Sequence, residues 1–435
     1  MRRHLVVVGF LIVALAVGQF AFAGGQQEGT EGQEQSGETV EFSWWYLTGG
    51  GGAEDLRINM RNELIAAYTA EHPNVKIDAV PLENEAFKQK VQVAIQAGDP
   101  PDLFHSWGGG VMIEYAEAGM LREITSEVKN DFSNRMGMGA IGVYGFDGKY
   151  YGVPYDMGAV GMWYNKAIFE EVGVDVPETW PQFLNVVRQV KDAGYIPIAL
   201  GAGDRWPAHF WWVYLAMRTG GEAAFNAAYT GEGSFADEPF VKAGEKLLEL
   251  KALEPFQEGF LGADQNMQAA LVGNGKAAME LMGQWAPPTQ VANSDDGEGL
   301  GTDLGWFKFP SVPGGAGTKD DIMGGGNGYV VGKDAPDEAV DFLSYMMQEE
   351  WNEKMVKAEG GIPTVDGAED VLESENMQKI ADAVANADYY QLYYDQFLPP
   401  AVGETVKDAV VRLLADRATP TEAAQMIQES WEMEQ

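Results

Sequence analysis

Strand and helix patterns alternate between Val40 and Phe104, and this alternation restricts the folds that the chain can adopt. The order is a strand from Val40, a helix over Leu56–Tyr68, a strand over Val75–Ala79, a helix over Phe87–Ile95 and a short strand from Asp102. This order is typical of a parallel sheet covered by helices, so we expect an α/β fold. Ligands of such sheets bind beyond the carboxyl ends of the strands. The residues that fall there are Trp44, Trp45, Tyr46, His105 and Trp107.

Two later helices carry sequence signals for their first turn. Thr179 is followed three residues later by Gln182, and Thr419 is followed by Glu422. A hydroxyl residue three positions before Glu or Gln is typical of a capping box, in which both side chains satisfy backbone N–H groups. We therefore expect helices to begin at these two positions.

The N-terminal residues have the pattern of a targeting segment. Arg2 and Arg3 precede the apolar run Leu5–Val17, and Ala21-Phe22-Ala23 is a small-x-small cleavage pattern. This predicts a secretory signal peptide over residues 1–23, with a retained membrane anchor as the alternative. Residues 24–38 contain no large apolar side chain and predict a flexible linker. We expect a periplasmic or extracellular protein, and the chain has no cysteine for lipid attachment.

Length and charge limit the remaining possibilities. A chain of 435 residues exceeds one ordinary core, so two domains are expected. The formal net charge of −37 repels nucleic acid, and nucleic-acid binding is excluded on this ground. The histidines outside the signal segment, His72, His105 and His209, do not have ligand spacing, so neither a metal site nor a cofactor is expected.

The stretch Gly148–Trp212 is rich in aromatic residues, with thirteen Phe, Trp or Tyr. Several of these rings stand beside Gly, Pro, Asp or Arg in loop-like sequence. Flat rings beside carboxylates suit a sugar, which has apolar C–H faces and a rim of hydroxyls. Most of the rings are expected to pack in the core. They include Phe169, Phe183, Tyr164, Trp163, Trp180 and the pair Trp211 and Trp212.

Two classes of function compete with simple sugar binding. A glycoside hydrolase needs only two suitably placed carboxylates, and the sequence offers 66 acidic residues. A surface adhesin or scaffold would need no ligand cleft at all. The alternative of a secreted glycoside hydrolase therefore stays open at the level of the residues alone.

An ordered series of short motifs adds a resemblance. The series is Gln96–Phe104, Tyr115–Leu121, Gly148–Pro154, Trp163–Lys166, Pro177–Trp180, Gly275–Met279, Gly283–Trp285, Gly326–Gly328 and Gly361–Pro363. In this order the motifs resemble the extracellular sugar-binding proteins of ABC importers, the family that includes maltose-binding protein. The resemblance runs from about Val40 to near the C-terminus and does not identify a particular sugar.

The resemblance implies a two-lobed periplasmic-binding-protein fold, with hinge strands and a ligand cleft between the lobes. The crossovers match Pro154–Gly158, Trp306–Phe309 and Gly361–Val365. The N-terminal lobe then comprises residues 39–157 plus 307–365, and the C-terminal lobe residues 158–306 plus 366–435. The resemblance also implies a protein without enzymatic activity. We expect it to be a monomer that binds an oligosaccharide and delivers it to ABC permease subunits with a separate ATPase.

The resemblance and the residue chemistry together predict the binding residues. The loops after the first and third strands, one acid–aromatic turn and one later tryptophan match ligand-facing positions of the family. Carboxylates are added as acceptors for sugar hydroxyls. Trp44 and Trp45 point oppositely on a strand, so only one of them is expected to face the ligand. The full set is Trp44, Trp45, Tyr46, His105, Trp107, Asp156, Asp204, Arg205, Trp206, Trp285, Gly326, Asn327, Tyr393 and Asp395.

Overall fold

The computed structural model describes residues 38–49 and 55–435. The predicted signal peptide and nearly all of the predicted linker lie outside the described residues. Within the described part of the chain, no helix combines the length and the apolar character needed to cross a membrane.

Helices supply most of the regular structure. Their bounds are α1 Leu56–Glu71, α2 Asn84–Ala97, α3 Gly109–Glu117, α4 Thr125–Asn130, α5 Met138–Ile141, α6 Lys166–Val172, α7 Trp180–Asp192, α8 Trp206–Thr230, α9 Glu238–Lys251, α10 Gln265–Gly273, α11 Ala286–Asn293, α12 Asp337–Met346, α13 Glu349–Glu359, α14 Glu375–Ala385, α15 Tyr394–Phe397, α16 Pro400–Leu414 and α17 Pro420–Met433. Helix α8 is interrupted at Gly221, whose φ is +63°.

The strands are short and belong to several sheets. Their bounds are β1 Val40–Leu47, β2 Val75–Leu82, β3 Leu103–Ser106, β4 Gly145–Phe146, β5 Lys149–Tyr150, β6 Gly152–Pro154, β7 Asp156–Ala159, β8 Gly161–Asn165, β9 Ile196–Ile198, β10 Ala277–Met282, β11 Leu304–Phe307, β12 Asp321–Gly325, β13 Gly328–Val331, β14 Ile362–Pro363 and β15 Tyr389–Leu392. The strand and helix order predicted between Val40 and Phe104 is confirmed.

The first lobe is built on a five-stranded sheet in the order β2-β1-β3-β13-β6. Strand β1 runs parallel to β2 and β3, whereas β13 runs antiparallel to β3 and β6. Side chains alternate between the two faces of β1. Trp44 and Tyr46 pack on one face, and Trp45 and Leu47 pack on the other. Both faces are thus covered, as expected for an α/β sheet.

The second lobe has its own core around the sheet β11-β8-β10-β9. The predicted packing rings Trp163, Trp180, Trp211 and Trp212 are all buried in this core, which confirms that much of the aromatic stretch is structural. Both predicted capping boxes are also confirmed, at the first turns of α7 and α17.

The described chain passes between the two cores at three places. The core residues on either side of each passage are Tyr155 and Ala159, Met323 and Tyr329, and Ala368 and Ile380. The first passage overlaps the predicted crossover Pro154–Gly158. The predicted crossover Trp306–Phe309 lies instead inside the second core, because the Phe309 ring stacks on Tyr214 with 4.7 Å between centroids. The exact lobe boundaries stay predictions.

A small sheet in the order β14-β7-β12-β15 lies at these passages. Strand β7 lies at the first passage and pairs with β12, which leads into the second, and with β14, which precedes the third. The first two connections are therefore joined by backbone hydrogen bonds, which is the arrangement expected of a hinge shared by several strands.

Candidate functional site

The principal cleft is lined by side chains from both cores. It encloses about 700 Å³ of space free of protein atoms, including its open mouth. The lining residues are Leu47, Thr48, Arg57, Asn84, Lys88, Trp107, Tyr155, Trp206, Phe210, Gln265, Trp285, Thr289, Asn327, Glu359, Tyr393, Asp395 and Gln396.

Every strand of the first sheet contributes to one edge of this cleft. Thr48, Asn84 and Trp107 follow the carboxyl ends of β1, β2 and β3. Tyr155 follows the end of β6, and Asn327 precedes the start of β13. Because β13 runs antiparallel to both β3 and β6, its start lies at the same edge as their ends. The site therefore lies where the topology of a parallel sheet leads one to expect it.

The second lobe presents a continuous aromatic wall to the cleft. Trp285 lies between Trp206 and Tyr393, with 6.2 Å from its ring centroid to each of theirs. Phe210 packs behind them, 5.4 Å from Trp206 and 5.5 Å from Tyr393. On the opposite side, Trp107 extends from the first lobe. Such rings offer flat apolar surfaces on which the C–H faces of a ligand can stack.

Several polar atoms of the cleft lining have no hydrogen-bond partner among the described residues. They are Asn84 Oδ1, Trp206 Nε1, Tyr393 Oη and Gln396 Oε1. Leaving a buried polar atom unpaired costs about 1–3 kcal/mol, so native proteins rarely do so without a reason. The set includes donors and acceptors, and a ligand carrying hydroxyl groups can satisfy both kinds.

The carboxylates of the cleft have partners inside the protein. Glu359 forms a salt bridge with Arg61, which also donates to the Tyr329 hydroxyl at 3.1 Å. Asp395 lies 3.4 Å from His209 Nε2 and 3.9 Å from Lys407 Nζ. Burial alone would raise the pKa of Asp395, but His209, Lys407, Lys88 and a hydrogen bond from Gln396 together outweigh it and lower that pKa. Both carboxylates are therefore held in position by partners inside the protein.

Six of the sequence-predicted residues line the cleft. They are Trp107, Trp206, Trp285, Asn327, Tyr393 and Asp395. They come from both lobes and are brought together only by the fold, since the first and last are separated by almost three hundred positions.

Four predicted residues at the edge of the first sheet lie within its layers instead. Trp44 is fully buried, with its ring 5.1 Å from Phe342. Tyr46 is buried under the Arg61 guanidinium, and Trp45 packs on the other face of the sheet. His105 is buried behind Trp107, with 4.6 Å between the two rings. Burial lowers the pKa of His105 well below its ordinary value, so the imidazole is neutral at pH 7.

The predicted pair Asp156 and Gly326 lies at the hinge rather than in the cleft lining. The Asp156 carboxylate accepts hydrogen bonds from the Asn327 backbone N–H at 2.7 Å and from its side-chain amide at 2.9 Å. A Cβ on Gly326 would approach the Asp156 carbonyl oxygen to 2.4 Å, so glycine is required for this close contact. Asp156 thus supports Asn327, which does line the cleft.

Asp204 and Arg205 flank the cleft and orient its lining residues. The Asp204 carboxylate accepts from the backbone N–H of Gln265 at 2.8 Å, at the start of α10. The Arg205 guanidinium bonds to Glu404 at 2.8 Å, outside the cleft. The backbone of Arg205 has φ +66° and ψ −42°, a region that residues other than glycine rarely adopt. This strained residue immediately precedes Trp206.

Sequence reasoning missed the other lining residues, among them Arg57, Lys88, Gln265, Glu359 and Gln396. Thr48 and Asn84 follow the ends of strands, so the rule for parallel sheets was a usable signal for them. Lys88 and Gln265 lie on helices, where nothing in the local pattern distinguishes a cleft-facing polar residue from a solvated one. Within residues 38–49 and 55–435, no cluster of acidic or histidine side chains is arranged to hold a metal ion.

The strained backbone at Arg205 predicts a difference between two substitutions. Arg205→Gly removes the salt bridge but relieves the positive φ, whereas Arg205→Ala removes the salt bridge and keeps the strain. We expect the glycine variant to be more stable than the alanine variant by about 1 kcal/mol. Urea unfolding of both variants measures the difference. Equal stabilities, or a more stable alanine variant, would contradict the assigned backbone conformation.

Comparison with known proteins gives a family match over most of the chain. A family model described as bacterial extracellular solute-binding protein matches residues 58–353. An ABC transporter extracellular-binding protein of Pyrococcus horikoshii is 30% identical over 297 residues, which are 65% of this chain. The match spans 64% of the length of that relative. A diacetylchitobiose-binding protein of Streptomyces coelicolor is 25% identical, with 88% of this chain and 87% of the relative covered.

Solved structures show the same architecture. One from a study of xylan utilisation by Caldanaerobius polysaccharolyticus has a TM-score of 0.82 and 28% identity, and covers 90% of this chain and 99% of that chain. A chitin oligosaccharide binding protein also has a TM-score of 0.82, at 23% identity, and covers 91% of this chain and 99% of that chain. The expected two-lobed fold is confirmed by these neighbours.

Proposed function

The chain belongs to the bacterial extracellular solute-binding protein family, and on that basis we propose that it binds an oligosaccharide and delivers it to an ABC-type importer. The observation that carries the proposal is the aromatic wall of Trp206, Trp285 and Tyr393 beside polar atoms that lack a partner in the protein. The diacetylchitobiose-binding relative supports the same class of ligand. The proposed partners are permease subunits with a separate ATPase, and the protein is proposed to act as an exported monomer.

In the proposed site, stacking on the rings adds affinity and hydrogen bonds to the carboxylates add specificity. Each good ring contact adds about 0.5–1.5 kcal/mol beyond the burial of apolar surface. Hydrogen bonds to charged groups are about twice as strong as neutral ones, so the fixed carboxylates Glu359 and Asp395 discriminate among hydroxyl arrangements. Trp107, Asn327 and these acids complete the proposed sugar site.

Closure of the lobes is proposed to couple binding to transport. The cleft lining comes from both cores, and the connecting strands are joined in one small sheet. A sugar that contacts both lobes stabilises the arrangement in which they are close together. The closed shape is then what the importer distinguishes from the empty protein.

The charges of the cleft favour binding over hydrolysis. Glycoside hydrolysis requires one carboxyl group with a raised pKa to act as general acid. In this cleft Glu359 is paired with Arg61, and the pKa of Asp395 is lowered. Asp395 is therefore unsuited to donate a proton to a leaving group, and Glu359 is held by a guanidinium. We accordingly propose a protein without enzymatic activity.

A panel of sugars tests the proposal. Maltotriose, xylotriose, raffinose, lactose and diacetylchitobiose are added separately to the purified protein. We expect at least one sugar to raise the melting temperature and to remain chemically unchanged, because a ligand that binds only the folded state stabilises it. Differential scanning calorimetry and chromatography of the sugars measure the two effects.

Two results would contradict the proposal. Turnover of any sugar would favour the glycoside hydrolase. If none of the sugars stabilises the protein, the result would favour an adhesin or scaffold. Solution scattering with the stabilising sugar supplies a check on closure: the radius of gyration should decrease, and an unchanged radius would count against hinge bending.

A further inference from the structure

Lys88 joins the two sides of the cleft, although it belongs to the first lobe. It lies on α2, and its ammonium nitrogen is 5.6 Å from the Trp107 ring centroid. The same nitrogen is 5.9 Å from the Trp206 ring centroid, which belongs to the second core. Lys88 is thus positioned between a ring of each lobe, where a stacked sugar would also lie.

The other charged groups of the cleft lining already have strong partners inside the protein. Arg57 binds Asp55 at 3.0 Å, and the same carboxylate caps α1. Glu359 pairs with Arg61, and Asp395 lies beside His209 and Lys407, as described above. Among residues 38–49 and 55–435, Lys88 forms a salt bridge only with Glu85, at 2.8 Å and one helical turn away.

The pair of Lys88 and Glu85 leaves donor capacity for a ligand. An ammonium group has three N–H donors, and Glu85 accepts from one of them. Both side chains are partly exposed, and such pairs contribute only about 0–1 kcal/mol. The ammonium can therefore turn towards an oxygen of a bound molecule at small cost. The ammonium lies near two indole rings, and a ligand stacked between them displaces water, which strengthens such a hydrogen bond.

We propose that Lys88 is a specificity-determining residue that donates a hydrogen bond to a hydroxyl of the sugar held between Trp107 and Trp206. This inference rests on the proposed function. A ligand that lacks an acceptor at that point forgoes this charged hydrogen bond and therefore binds less tightly than one that has it. Lys88 consequently selects sugars with a free hydroxyl at this position and disfavours those in which it is absent or substituted.

The test compares Lys88→Met with Lys90→Met by titration calorimetry against the five sugars of the panel. Methionine keeps the length and apolar stem of lysine but removes the donor. Lys90 is exposed on the same helix and serves as the matched control. We expect Lys88→Met to weaken the best sugar by about 10- to 100-fold, the effect of losing a charged hydrogen bond. The loss should differ between sugars, whereas Lys90→Met should bind as the wild type does.

The possible outcomes separate this inference from the proposed function. If the wild type binds no sugar, the proposed function fails and the inference fails with it. If the wild type binds and Lys88→Met binds equally well, only the role of Lys88 is refuted. An equal loss for every sugar would also refute it, since Lys88 would then orient the rings without selecting the ligand.

Discussion

Replacing Trp206 with alanine should weaken sugar binding by about 30-fold or more, the loss typical of a central aromatic contact. The ring lies at the entrance of α8, between Phe210 and Trp285 in the aromatic wall. Its Nε1 has no partner among the described residues, so truncation removes both a stacking surface and a hydrogen-bond donor. Trp285→Ala should have an effect of similar size. Titration calorimetry with the best sugar of the panel measures both affinities.

The control must separate lost binding from lost stability. Trp206 is 5% exposed, and truncating a buried tryptophan costs about 3–5 kcal/mol of stability. Trp431, at 7% exposure, is buried in the same core but is absent from the cleft lining. Trp431→Ala should therefore be destabilised comparably and bind normally. If Trp206→Ala and Trp285→Ala also bind normally, the aromatic wall is not the stacking surface.

Asp156→Asn should remove a pH dependence of stability that the wild type shows. Burial raises the pKa of Asp156 from 3.8 to about 8, and the hydrogen bonds from Asn327 oppose this only in part. Because the folded-state pKa lies above the unfolded value, the protonated carboxyl favours the folded state. This stabilisation is fully present below the unfolded pKa. It declines as the pH rises, and it is lost above a pH of about 8.

The difference in unfolding free energy between the wild type and Asp156→Asn separates the contribution of Asp156 from those of the other acidic residues. The free energy of unfolding of the wild type, minus that of Asp156→Asn, should fall by about 1.4 kcal/mol per pH unit between the unfolded pKa of Asp156 and a pH of about 8. Urea unfolding at several pH values measures it, with the exposed Asp382→Asn as control. Parallel curves for wild type and Asp156→Asn would show that Asp156 titrates normally and is not the buried acid of the hinge.

The fold class followed from patterns that lie close together in the sequence. The order of strands and helices up to Phe104, both capping boxes and the packing role of Trp163, Trp180, Trp211 and Trp212 are properties of local spacing and apolar character. The motif series pointed to the two lobes. The crossover placed at Trp306–Phe309 shows the limit of motif matching, since the contact of Phe309 with Tyr214 keeps that segment in the second core.

The site was predictable in outline but not in detail. The rule for parallel sheets located the correct edge, yet Trp44, Trp45 and Tyr46 turned out to pack within the layers of that sheet. Whether a ring at a strand end faces ligand or core depends on which helix covers it. Lys88 had no local signal, because an exposed lysine and a cleft lysine look alike on a helix.

By itself, the sequence determined an α/β chain whose aromatic residues are mostly structural, because hydrophobic period and capping act over a few residues. The tertiary structure decided which groups share the cleft. Trp107, Trp206, Asn327 and Asp395 are far apart along the chain and meet only where two separately packed cores face each other. The same packing decided which charges are neutralised within the protein and which, like Lys88, remain able to meet a ligand.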